Sequence, residues 1–226
     1  MSPRKVNPQL RTAMIDIAAR LLAEEGPAAF SARRIAEEAG SSTMPVYTHF
    51  GGMAGLVREI VHEGFARLQD GFSEVAESDD PVADMALLGR VYRHNARVRP
   101  HLYAVMFGGA SLAGFSLSDD DRTHGRYTLT PVIACARRCI ACGRFRTDDA
   151  ELVAQRMWIA THGLVTLELG QYLVAPYDAE RTFEAQLVGL MTSAGDEVRA
   201  AVRSVDASRA REPFPLADGW DAADSA

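Results

Sequence analysis

A chain of 226 residues is long enough for one or two domains with proper cores, and its apolar residues nowhere form a run of about 18 that would span a bilayer. Three cysteines, an odd number, argue against a disulfide framework, and Arg4 and Lys5 are followed by no apolar stretch of the kind a signal peptide needs, so a cytoplasmic location is expected. The net charge of −6 speaks against nucleic acid only as a total: the first fifty residues hold six basic and five acidic side chains, and the other 176 carry −7. An acidic body behind a locally basic head turns that head toward phosphate.

In chain order, Leu10, Met14, Ile17 and Leu21 mark one face of a helix over residues 8–25, which Gly26-Pro27 ends. Ser31 stands at the N-cap of the next, with Phe30 before it and Ile35 after it as a hydrophobic staple, and Gly40 supplies the left-handed residue that stops it. Ser41 or Ser42 then caps a short helix whose first turn holds Pro45, so residues 31–50 read as helix, sharp turn, helix. A long helix with Val57, Val61, Phe65, Leu68 and Phe72 in one stripe runs from 53 to about 77. Asp80-Pro81 opens another to about 96, and Arg99-Pro100 a short one ending at Gly108-Gly109. A Gly- and Ser-rich loop over 108–118 precedes a helix kinked at Pro131 and ending at Cys142-Gly143. Thr147-Asp148-Asp149 starts a helix to about 172, and Asp178 caps the last, to about 204. No run alternates long enough to demand a sheet. The expected class is all-α with about nine helices: a head over 1–52, a body over 53–205, and an acidic, disordered tail over 206–226.

The segment FSARRIAEEAGSSTMPVYTHFGGMAGL resembles the DNA-binding core of the tetracycline-repressor (TetR) family, through Ile35-Ala36, Ala39-Gly40 and the Tyr47-Thr48-His49-Phe50 ending; the resemblance covers about residues 8–65. A second stretch, 157–172, is similar through Trp158 and His162-Gly163 to the W…HG signature of one C-terminal domain type in that family. The resemblance implies a three-helix helix-turn-helix head on double-stranded DNA and a helical body that dimerises and holds a small effector, with no cofactor and no membrane. It implies phosphate contacts from Tyr47 and His49, supported by Ser31 and Arg33, and base contacts from Thr43, Met44 and Thr48, with Ser42 and Pro45 on the same surface. Members commonly carry a lysine three residues after the phenylalanine, where this chain has Met53. The recognition helix also lacks Arg and Lys, so readout is expected to lean on thymine methyls, hydroxyls and DNA shape.

In the body, Trp158, His162, Val165 and Leu169 share a stripe. Gly163 and Gly170 on that helix, with Gly189 on the last, would let helices of two subunits approach closely, which fits the four-helix dimer that is the family's habit. The effector is expected at the short helix carrying His101, Tyr103, Met106 and Phe107, with Tyr127, Trp158 and His162 as further candidates; ordinary core is the competing reading of the rings. Cys135, Cys139 and Cys142 fall on one helix face, which suits small buried hydrophobes and also, as a rival function, a thiol or metal sensor. No nucleophile or metal-ligand set of recognisable spacing accompanies His162. A helical enzyme with an incidental head is therefore the weakest reading, and no catalytic or metal residue is assigned.

Overall fold

The computed structural model describes residues 8–107, 114–115 and 118–211, with backbone alone at 120, 122 and 124, and all regular structure among them is helical. Arg4, Lys5, most of the loop over 108–118 and residues 212–226 of the tail lie outside the described residues. Packing divides the chain into two units, Met1–Asp70 with His94–Thr130, and Gly71–Arg93 with Pro131–Ala226.

The first unit begins with α1 (Pro8–Arg20), whose chain continues through one π turn (Leu21–Glu25) and stops at Gly26 with φ +77°. It is followed by α2 (Ala32–Glu38), α3 (Met44–Phe50) and α4 (Met53–Ser73). Met14, Ile15, Ala18, Leu21, Leu22, Ile35, Val46, Leu56 and Ile60 are buried, the pattern expected when three short helices close over a longer one. The other half of this unit holds α6 (Pro100–Met106) and α7 (Asp119–Arg126), and α6 packs on α1 and its π turn.

Helix α5 (Pro81–Val98) opens under Asp80, whose Oδ1 accepts from the amides of Val82 at 3.1 Å and Ala83 at 3.2 Å. Helix α4 stops at Ser73, short of the expected 77. The chain after it turns so that the Ser78 amide (2.9 Å) and hydroxyl (2.6 Å) donate to Asp84.

In the second unit follow α8 (Thr130–Ala141), α9 (Ala150–Leu169), α10 (Ala179–Ser193) and α11 (Val198–Arg209), with α10 packed on both α9 and α11. Two expected helices prove to be pairs. Pro131 does not kink a helix: it sits at the second position of α8, after the 3-10 turn Tyr127–Leu129, because its ring and missing N–H are tolerated in a first turn and not in an interior. The helix expected from 178 to 204 breaks at Gly195, φ +107°, where an added Cβ would lie 2.7 Å from the Arg146 amide nitrogen. Glu197 then caps α11 by accepting from the Ala200 amide, and α11 carries Asp206 to Arg209, so these first residues of the expected tail are helical.

Charge is unusually deep in this unit. Asp84 is 2 % exposed and receives Arg138 at 2.8 Å and Arg211 at 2.6 Å; Asp196 is held bidentately by Arg144 at 2.6 and 2.7 Å. Arg93 pairs with Glu168 and Glu180 and lies 4.9 Å from the centroid of the Phe183 ring, itself fully buried.

Candidate nucleic-acid interface

Local chemistry builds the helix-turn-helix as expected at α2. Ser31 is extended (φ −138°, ψ 149°) and its Oγ accepts from the Arg34 amide at 3.3 Å, while Phe30 and Ile35 are both buried as the staple requires. At the other end Gly40 (φ +59°) donates to Glu37 O at 3.1 Å and Ser41 to Ala36 O at 2.8 Å, the paired bonds of a Schellman turn. Helix α3 differs at its start. The N-cap position expected of Ser41 or Ser42 falls to Thr43, which makes no side-chain cap bond, while Ser41 Oγ donates to Ser42 O at 3.1 Å. Pro45 takes the second helical position, where its missing N–H is harmless, and Gly51 (φ +69°) closes the helix.

Val46 and Phe50 are buried, so the remaining positions of α3 face outward: Met44 is 64 % exposed, Tyr47 57 %, and Ser42, Thr43 and Thr48 are also exposed. Thr48 Oγ1 donates to Pro45 O at 3.5 Å, a long bond that a better acceptor can replace. His49 is half-buried, edge-on to Phe50, and its buried Nδ1 has no hydrogen-bond partner among the described residues, which leaves Nε2 as the ring atom able to meet a phosphate.

The basic residues of this region are not equivalent. Arg11 pairs with Glu59 and stacks over Phe50, Arg20 with Glu24 and Glu38, and Arg34 with Glu38 at 2.7 Å and Glu25 at 3.6 Å. The Arg34 hydrogen bond, with the field of Arg20 behind it, holds the Glu38 carboxyl below its usual range. Arg33 is exposed and has no ion pair among the described residues. Of the two adjacent arginines, one is committed to carboxylates and the other is available.

Gly55 is a structural requirement that the periodicity of α4 does not reveal. A Cβ there would lie 1.7 Å from the Phe50 carbonyl oxygen, so only glycine lets the end of α3 lie against the start of α4. Because the obstruction is backbone from the preceding helix, no propensity or apolar spacing could have signalled it.

The seven effector candidates separate. Tyr103 and Met106 are buried and Phe107 is half-buried in the first unit; Phe107 stacks edge-to-face on Phe65 at 5.6 Å and on Tyr103 at 5.3 Å. Tyr127 lies in the same unit, its hydroxyl pushed up by burial and by Asp70. The cluster is closed by two glycines: a Cβ at Gly64 would meet Met106 Cγ at 2.4 Å, and one at Gly125 the Phe65 ring at 2.5 Å. His101 takes another direction, toward Glu24 at 3.5 Å.

Trp158 and His162 belong to the second unit. His162 Nδ1 is 3.0 Å from the Tyr92 hydroxyl, and burial pushes the imidazole below its ordinary value, so at neutral pH it is uncharged. Of the cysteines, Cys135 donates to Pro81 O at 3.2 Å, and the Cys139 thiol is pushed up by its hydrogen bond to Cys135 and by burial; Cys142 is exposed. A buried thiol held protonated is a poor nucleophile and a poor metal ligand. No group of three His, Cys, Asp or Glu among the described residues is disposed to share a metal ion, and no helix among them is long and apolar enough to cross a membrane.

Gly163 and Gly189 are exposed, and a Cβ at either meets nothing within 4 Å among the described residues. Gly170 instead ends α9, where a Cβ would lie 2.8 Å from the Tyr172 ring. Along α9 the exposed Leu152, Ile159 and Leu167 share the stripe of Gly163.

Residues 14–60 match the family described as bacterial regulatory proteins, tetR family, and residues 85–190 the tetracyclin repressor-like C-terminal domain. Among solved structures the chain is similar to a protein of unknown function from Rhodococcus sp. RHA1 (22 % identity, 87 % of this chain and 100 % of that one, TM-score 0.70). It is also similar to the fatty acid degradation regulator FadR from Bacillus halodurans (18 %, 86 % and 100 %, TM-score 0.69). A third similar structure is the TetR family transcriptional regulator PfmR from Thermus thermophilus (19 %, 79 % and 93 %, TM-score 0.61). No curated protein matches the sequence.

Proposed function

This chain belongs to the tetracycline-repressor family of transcriptional regulators, and we propose that it is a cytoplasmic homodimeric repressor, released from a palindromic operator by a small, largely apolar effector. The observation that carries the reading is the outward face of α3, where Met44 and Tyr47 stand more than half exposed beside Thr43 and Thr48 on a helix already anchored by Val46 and Phe50. A monomeric fold gains nothing by exposing these side chains; a helix lying in a major groove uses them. Ser31, Arg33, Tyr47 and His49 hold phosphates, and Ser42, Thr43, Met44, Pro45 and Thr48 face the bases.

The difference between Arg33 and Arg34 makes this testable by gel-shift titration at several salt concentrations. Arg33→Ala will remove one phosphate contact, lowering the slope of log affinity against log salt by about 1 for all duplexes alike. Arg34→Ala will leave the slope unchanged, because its guanidinium is already spent on Glu38 and Glu25. If neither Arg33→Ala, Tyr47→Phe nor His49→Ala weakens binding, the head does not carry DNA binding.

Two subunits join through α9 and α10. The apolar stripe of Leu152, Ile159 and Leu167 supports this, with Gly163 and Gly189 opening onto empty space that a second copy can enter. Since a Cβ at Gly163 meets nothing within 4 Å among the described residues, Gly163→Leu will leave the subunit fold intact, and Leu is the better helix former by up to about 1 kcal/mol. In the dimer the same leucine overpacks the contact, at about 1–3 kcal/mol per site. Sedimentation will then show monomers; a variant that remains dimeric at micromolar concentration moves the interface elsewhere. The effector inserts at the cluster of Tyr103, Met106 and Phe107, with Tyr127 in the same unit. What supports this site is that α6 packs on α1 and its π turn, so a ligand that displaces α6 acts on the head directly.

A further inference from the structure

Helix α3 and the residues leading into it, 42–50, contain no Arg, Lys, Asn, Gln, Asp or Glu. Those are the side chains that make the strong hydrogen-bonded readings of the major groove: Arg or Lys on guanine, Asn or Gln on adenine, a carboxylate on cytosine. The groove offers one further distinguishing feature, the C5-methyl of thymine, and it is read by apolar contact. Among the described residues of the head, the most exposed large apolar side chain is Met44, 64 % accessible at the first residue of α3. The N-terminal residues of such a helix are the ones that reach base edges. Thr43, exposed immediately before it, adds a second methyl beside a hydroxyl that makes no cap bond to its own helix. A thioether on three rotatable bonds adapts its surface to a methyl without a fixed hydrogen-bond geometry.

From this composition and exposure we infer that Met44, assisted by Thr43, is the specificity-determining side chain of the operator contact, and that it selects half-sites by the C5-methyl groups of thymine. The inference rests on α3 lying in the major groove, as proposed above. It assigns the protein to thymine-bearing operators read by apolar contact, without a bidentate guanine contact from this helix.

The test uses the full-length chain and duplexes selected by it from a random 20-bp library, remade with deoxyuridine in place of single thymidines, which deletes only the methyl. Wild type will lose about fourfold in affinity at one or two positions in each half-site, the ratio given by losing burial of one methyl-sized apolar group. Met44→Ala will bind the thymidine duplex as weakly as wild type binds the deoxyuridine one, and will not distinguish the two. Met44→Leu, still apolar, will distinguish them. Met44 is solvent-exposed, so neither variant threatens the fold, and an unchanged melting temperature verifies this. Wild-type binding that is sequence-selective yet indifferent to uracil overturns the inference and leaves DNA binding standing. Discrimination that survives in Met44→Ala also overturns it, since the methyl is then read elsewhere or through DNA shape. Failure to bind any duplex, even at low salt, overturns both.

Discussion

Replacing Asp84 by alanine will destabilise the protein by about 3 kcal/mol, at the lower end of what breaking a buried ion pair costs. The carboxylate is 2 % exposed and accepts from two guanidiniums, a hydroxyl and a backbone amide, so removing it leaves four donors without their acceptor. The cost stays near 3 because Arg138 and Arg211 keep 28 % and 30 % of their side-chain surface in water and Arg138 also lies 3.7 Å from Glu77. At roughly 2–4 °C per kcal/mol for a chain of this size, the melting temperature will fall by about 6–12 °C. The same site dictates a pH dependence. Burial alone pushes the Asp84 carboxyl up, but the bonds from Ser78, Arg211 and Arg138 outweigh it and hold the group below its usual value. A carboxyl depressed in the folded state contributes stability that is complete above its unfolded value, about 3.9, and is lost as pH falls below that through the folded one. Wild type will therefore show an acid-induced loss of stability below about pH 4 that is reduced in Asp84→Asn. Equal acid slopes in the two proteins would remove Asp84 from the transition.

The second large effect is expected at α6. Met106→Ala will cost about 2–5 kcal/mol and Tyr103→Ala about 3–5, whereas Phe107→Ala, at a half-buried position, will cost less. Packing sets these costs: Gly64 is without a side chain because Met106 already occupies that volume, and Gly125 because Phe65 does. A ligand entering there must part rings that already touch, so its affinity reports the difference between two packings of α6. Thermal melts beside operator titrations will separate packing from reception. A large drop in melting temperature from Met106→Ala with unaltered operator affinity is the expected outcome. Melting within about 1 kcal/mol of wild type would instead mean that these side chains line an open cavity.

Short-range chemistry made much of this protein legible from its residues. Ser31, Gly40 and Pro45 act within four positions of themselves, through a cap, a left-handed turn and a tolerated proline, so the helix-turn-helix could be drawn from the letters alone. Short-range signals mislead at residues 119–143 and 178–204, each of which forms two helices in place of one. There the backbone breaks because an imino ring begins a helix better than it continues one and because Arg146 fills the space beside Gly195.

What only the tertiary structure decided is which groups the folded chain brings into contact. Arg33 and Arg34 each have a glutamate four positions on, Glu37 and Glu38, and only the structure shows that Arg34 pairs with its own and with Glu25 while Arg33 has no ion pair among the described residues. Gly55 looks like a weak residue in a helix until the Phe50 carbonyl is seen where its side chain would be, and Gly64 and Gly125 are likewise explained by Met106 and Phe65. Asp84 reads as one acid in a helix, and its role emerges only when Arg138 and Arg211, 54 and 127 positions away, converge on it. Capping and turn preferences are set by bonds that a residue makes with its own neighbours and are therefore written locally. Charge pairing and close approach depend on which surfaces the folded chain brings within a few ångströms, and no spacing along the sequence carries that distance.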